Sequence, residues 1–254
     1  MLTDTHTHLY SEAFDDDRES MIKRAIGLGI DRFFIPAIDS QYTNAMYDLE
    51  KKFPNQVFLM MGLHPTSVKF NYEEELLHVE QQFEMRKFCA VGEIGIDLYW
   101  DTSTLEIQKI AFKRQIQLAK KYKVPIVIHC RDAFDEIFDV LESEKGDDLF
   151  GIFHCFTGTF EQAQRAISFN MKLGIGGVVT FKNGKIDSFL NQIELSHIVL
   201  ETDSPYLAPV PYRGKRNESS YLSLICNRLS AIYGVSEEKI ATITTQNSKQ
   251  VFGI

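Results

Sequence analysis

A chain of 254 residues, 44% apolar and 24% charged, has the size to bury the core of one barrel-sized domain or of two smaller ones. Its 27 Lys and Arg against 35 Asp and Glu leave a formal charge of -8, which argues against extended coating of duplex DNA. That charge does not exclude a nucleic-acid substrate, because bound cations draw phosphate to an acidic enzyme.

Apolar, β-branched-rich runs recur along the chain, each followed by a longer segment of helical period. Strands are expected at residues 2–5, 32–37, 57–63, 88–93, 125–129, 151–154, 172–176 and 197–201. Helices are expected between them at 18–28, 42–53, 73–85, 105–122, 132–144, 160–169 and 186–192, with two more at 220–233 and 237–251. Thr104 and Ser236 stand where they can cap helices, and Gly29 and Gly234 where helices stop. Strands that are continuously apolar, rather than alternating, imply burial on both faces, as in parallel sheets. Eight such units predict a single-domain (β/α)₈ barrel spanning residues 1–254; the competing open sheet lacks a GxGxxG after any strand. No Pro/Ser-rich linker or internal repeat divides the chain, and the segment 205–220 is its most loop-like stretch.

No basic segment leads into an apolar h-region, and no apolar run approaches bilayer-spanning length, so the expected location is cytoplasmic, with no membrane contact and no obligatory protein partner. Cys89, Cys130, Cys155 and Cys226 lack C-x-x-C spacing and read as reduced thiols.

Barrels of this kind carry their reactive groups at the C-terminal ends of the strands. There the sequence places His6 and His8, His64, Glu93, His129, His154 and Asp203. Asp4, His6 and His8 alternate along the first strand and are expected on one face. Scattered solvated histidines have no reason to gather on one rim, and an apolar core does not tolerate unpaired imidazoles and carboxylates. The pattern instead suits two divalent ions: one on His6, His8 and Asp203, a second on His129 and His154, with Glu93 bridging both and no carbamylated lysine needed. Asp203 is also the expected proton acceptor, and Glu93 and Asp203 are the catalytic candidates. His64 is a candidate for substrate binding or proton donation, against the blander role of a loop histidine. Arg131 is a further candidate contact, although an ion pair with Asp132 would be an ordinary use for it. Arg213, Lys215 and Arg216 form a cluster that is most simply a solvated charge run, yet at the mouth of a metal site it would suit phosphate. Tyr99 and Trp100 can stack on a base or simply pack. Cys130 and Cys155 each follow a ligand by one residue, so alternation is expected to turn them away.

Six segments then carry a resemblance: Asp4-Thr5-His6-Thr7-His8-Leu9, Gly62-Leu63-His64-Pro65, Gly92-Glu93-Ile94-Gly95-Ile96-Asp97, His129-Cys130-Arg131-Asp132-Ala133, His154-Cys155-Phe156-Thr157-Gly158 and Glu201-Thr202-Asp203-Ser204-Pro205. Together with the segments 211–218 and 247–253 they resemble the successive signatures of the TatD family of metal-dependent deoxyribonucleases. The resemblance implies a (β/α)₈ fold, hydrolysis of DNA supported by Mg²⁺ or Mn²⁺, and in some members 3′–5′ exonuclease action. It implies His6, His8, Glu93, His129, His154 and Asp203 as metal ligands, and places His64 and the 213–217 loop at substrate. Two departures stand out: Ser219 where the family has proline, and Cys130 where it has serine. Four imidazoles suit Zn²⁺ or Mn²⁺ better than Mg²⁺. The leading expectation is a DNA phosphodiesterase acting on single strands or strand ends. The alternatives are an amide, lactone or small phosphoester hydrolase on the same site, and a barrel recruited only for binding.

Overall fold

The computed structural model describes residues 1–254. Eight parallel strands follow one another in chain order around the sheet: β1 (Leu2–Asp4), β2 (Ile30–Ile35), β3 (Val57–Met61), β4 (Ala90–Asp97), β5 (Ile126–Arg131), β6 (Gly151–Phe153), β7 (Met171–Ile175) and β8 (Ile198–Leu200). Between β8 and β1 the ladder gives way to stitches, in which Thr5 N donates to Leu200 O at 3.0 Å and Asp203 N to His6 O at 2.9 Å. The result is a nearly closed single-domain (β/α)₈ barrel. Burial on both faces, inferred from the continuous apolar runs, is plain in β4, where every residue is buried.

The helices are α1 (Arg18–Gly27), α2 (Thr43–Lys52), α3 (Tyr72–Met85), α4 (Leu105–Tyr122), α5 (Phe134–Ser143), α6 (Phe160–Ser168), α7 (Leu222–Tyr233) and α8 (Glu237–Phe252). Ser236 caps α8 by accepting from Lys239 N, and Gly234 closes α7 at φ +63°. Thr104 makes no capping bond; Asp101 accepts from Ser103 N and begins a single 3₁₀ turn that leads into α4. The helix expected at 186–192 is absent. Two isolated turns stand there, Ile186–Ser188 and Leu190–Gln192. Its apolar stripe is buried, but seven residues rich in Asp, Ser and Asn are too few to sustain a helix against side chains that compete for the backbone.

Two apolar cores result. The larger lies between strands and helices. The smaller fills the barrel interior with Phe34, Met60, Ala90, Val127, Ile152 and Val199, and α8 closes its lower mouth with Val251 and Phe252. The Phe34 and Phe252 rings stack at 3.8 Å, so the N-terminal end of the barrel is plugged. No helix is long and apolar enough to cross a membrane.

Candidate metal centre

Side chains two positions further along each strand face the same way, so the layer above the interior core follows from it. His129 stands above Val127, His154 above Ile152 and Glu201 above Val199. Strict alternation from Ala90 would turn Gly92 inward and Glu93 out among the helices. The β4–β5 register shifts between Gly92 and Ile94, and this bulge reverses the alternation. Ile94 and Ile96 then join the outer core, while Glu93 and Asp97 turn toward the centre.

At that layer the structure brings together His6, His8, Glu93, His129, His154 and Asp203. The two oxygens of Glu93 divide the group. Oε2 lies 3.0 Å from His6 Nε2 and 3.7 Å from His8 Nε2. Oε1 lies 2.8 Å from His129 Nδ1, 3.4 Å from His64 Nε2 and 3.7 Å from His154 Nε2. Asp203 Oδ1 faces the first half at 3.5 Å from His8 Nε2 and 3.8 Å from His6 Nε2, and also reaches His154 Nε2 at 3.7 Å. Asp203 adopts a left-handed backbone at φ +57°, a conformation that aspartate tolerates better than most residues. Four triads have ligand atoms within 4.8 Å of one another: His6, His8 and Asp203; His6, Glu93 and His154; His64, Glu93 and His129; and His154, Cys155 and Glu201. His154 packs against His6, with rings stacked at 3.4 Å, so it sits between the two halves rather than wholly on the His129 side.

Burial alone would raise the Glu93 carboxyl, yet the imidazoles of His6, His64 and His154 pull it well below the usual range. Asp203 is held low against the same burial by His154, His8 and His6. Burial depresses His6 and His64. It also works against charge on His154, but Glu201, Glu93 and Asp203 overcome it and push His154 up to about 10. His129 is raised by its bonds to Asp97 and Glu93 despite burial. A proton on His154 therefore offsets the carboxylates, and a divalent cation would take over that task by displacing it. His6 Nδ1 is buried with no hydrogen-bond partner. A ring of converging nitrogen lone pairs and ionised carboxylates is a donor set that fits divalent ions.

Two supporting carboxylates escaped the reading of the sequence. Asp97 Oδ2 meets His129 Nε2 at 2.8 Å and fixes that ring. Glu201 Oε1 lies 2.9 Å from His154 Nδ1. A Cβ on Gly174 would stand 2.2 Å from Glu201 Oε2, so only glycine leaves room for that carboxylate. Both acids lie inside the quoted motifs, and the available signal was spacing: Asp97 stands four residues beyond Glu93 on one strand, and Glu201 two residues beyond the inward Val199. Asp4 departs from expectation in the other direction. It turns from the cluster to accept from Thr202 N and Oγ1 at 2.9 and 2.6 Å and from Ser219 Oγ at 2.7 Å. The serine that replaces the family's proline thus gains a buried bond. Cys155 is not turned away either: its left-handed backbone, φ +44°, breaks the alternation and groups it with His154 and Glu201. Burial pushes its thiol up, and a protonated thiol is a poor ligand. Cys130 does pack against the outer core.

The outer candidates divide. His64 joins the His129 side, 3.2 Å from His129 Nδ1. Arg131 lies over the Tyr99 ring at 3.7 Å, and its expected pairing with Asp132 does not form. Arg213 lies over Phe181 at 4.5 Å. Arg216 makes a two-pronged bridge to Asp17, at 2.6 and 2.8 Å, and Asn217 donates to Thr202 O and Tyr206 O. The 213–217 segment thus holds Arg216 and Asn217 in structural bonds rather than free for phosphate.

A model of the family described as TatD related DNase matches residues 3–253. The chain is 38% identical over 256 residues to YabD of Bacillus subtilis (strain 168), covering 100% of both, and 31% identical to YcfH of Escherichia coli (strain K12), covering 100% of this chain and 96% of that one. Both relatives are described as uncharacterized metal-dependent hydrolases. The fold superposes on the crystal structure of YjjV, a TatD homologue from Escherichia coli K12, with a TM-score of 0.94 at 27% identity, over 100% of this chain and 98% of that one. This chain is therefore a member of the TatD-related DNase family of metal-dependent hydrolases.

Proposed function

We propose that the protein hydrolyses phosphodiester bonds of DNA at strand ends, in the 3′–5′ direction, using two divalent ions held by His6, His8, Glu93, His129, His154 and Asp203. The observation that carries this reading is the division of the Glu93 carboxylate, one oxygen toward His6 and His8 and the other toward His129 and His154. Divalent ions bound there would lower the pKa of a water and polarise the electrophile. Glu93 offers one oxygen to each half. Asp203, kept ionised by its histidines, takes the proton of the attacking water. His64, half-buried beside His129, orients the phosphate or supplies a proton to the departing oxygen. The family's description as DNases supports phosphodiester as the electrophile.

The test is an assay of metal-stripped protein on single-stranded and duplex DNA, with Mg²⁺, Mn²⁺ or Zn²⁺ restored. A small ester and an amide run alongside. Metal-restored release of nucleotides from 3′ ends is expected. Cleavage of the ester or amide alone would establish the alternative substrate class on the same site.

A further inference from the structure

We propose that Tyr99, Trp100 and Arg131 form a stacking subsite for an unpaired nucleobase beside the metal centre, so that a single strand crosses the β4 and β5 side of the rim rather than the 213–217 loop. The proposal rests on the DNA reading above and gives it a direction. Arg131 stands two residues beyond His129 on the same face of β5, and Tyr99 and Trp100 follow directly on the end of β4.

Asp97 ties this group to the centre. Its Oδ2 meets His129 Nε2 at 2.8 Å, while its Oδ1 accepts from Tyr99 N at 3.0 Å and Trp100 N at 3.3 Å. One buried carboxylate therefore sets both a metal-facing imidazole and the turn that carries the two aromatics. A subsite fixed to the reacting centre in this way has little freedom left to lose on binding.

The aromatics themselves remain open. Tyr99 is 55% and Trp100 70% exposed, large apolar surfaces that folding leaves in water. Their rings meet at 90° with centroids 5.0 Å apart, making an angled shelf. The Arg131 guanidinium lies 3.7 Å over the Tyr99 ring and 5.6 Å from the Trp100 ring, and it enters no ion pair. It thus presents charge for a phosphate next to a face for a base. Arg216, by contrast, is already neutralised by Asp17. Stacking tolerates any sequence because every base has a π-face, but it requires the base to be out of a duplex.

Trp100 is the one tryptophan in the chain, so its fluorescence reports the subsite directly. The metal-loaded protein is titrated with a short single-stranded oligonucleotide of hydrolysis-resistant phosphorothioate linkages, with the same oligomer made abasic at its 3′ end, and with a blunt duplex. Saturable quenching is expected with the first alone, and the abasic oligomer is expected to bind about tenfold more weakly. Trp100→Ala, followed by anisotropy of a labelled oligomer, should lose the same factor and be indifferent to the abasic change, and Trp100→Phe should restore most of the affinity. Metal content of each variant confirms the fold. The proposal is overturned if the abasic penalty persists in full in Trp100→Ala. It is also overturned if quenching tracks protein concentration without DNA, which would mark an interface between copies. Unchanged KM for single-stranded DNA in Trp100→Ala would remove the subsite and leave the phosphodiesterase standing. Wild-type protein that neither binds nor cleaves any oligonucleotide would remove both.

Discussion

The two ends of the barrel are built from the same strands and differ in almost everything else. Below, Phe34, Met60, Ala90, Val127, Ile152 and Val199 fill the interior, and Phe252 seals it. One layer higher stand imidazoles and carboxylates whose mutual attraction is spent against their desolvation, so they bring no comparable gain to folding. A chain bears such a layer only where a ligand makes use of it. The contrast teaches that stability in this molecule resides at the plugged end and chemistry at the open one, with β4 changing from one task to the other at its bulge.

Breaking the lower end should therefore cost stability and spare the metal. Phe252→Ala is expected to lose about 3 kcal/mol by leaving a cavity under Phe34, with metal stoichiometry unchanged. Denaturant unfolding and metal analysis on the same sample check it. At the upper end, Glu93→Gln should lower turnover more than about a hundredfold, since loss of a ligand ought to exceed the 10–100-fold cost of losing an outer partner. It should leave the fold intact; full turnover in the purified variant would contradict the bridging role.

Metal itself sharpens the contrast. At a hundred times the dissociation constant, one bound ion should stabilise wild type by about 2.7 kcal/mol, seen as a rise in melting temperature that chelator reverses. Glu93→Gln should lose most of that rise, whereas Phe252→Ala should keep it. Asp97→Asn is a subtler probe. With the His129 ring no longer held by a charged partner, metal affinity should fall roughly 10–100-fold in a competition titration. The smallest change concerns the outer surface of the open end. Arg216→Gln removes a surface bridge to Asp17 and should cost at most about 1 kcal/mol in a melting experiment.

Much of this was legible in the sequence, because parallel strands buried on both faces announce themselves as unbroken apolar runs, and the histidines mark where those runs end. What was not legible depended on distant partners or broken periodicity. Nothing near Arg216 indicates that Asp17, at the other end of the chain, will neutralise it. Glu93 points inward because of a bulge that strand alternation does not predict, and Asp97 follows it for the same reason. Cys155 escapes alternation through a left-handed backbone, and Asp4 finds donors in Thr202 and Ser219 that only the closed barrel brings near. At 186–192 a helical period is present and a helix is not, since the buried stripe can be satisfied by two separate turns.

The most direct measurement is anomalous diffraction from a crystal of the protein soaked in Mn²⁺. The account predicts two peaks, about 3.5–4 Å apart and on either side of the Glu93 carboxylate. A single peak, or manganese that leaves Glu93 paired only with its histidines, would contradict it.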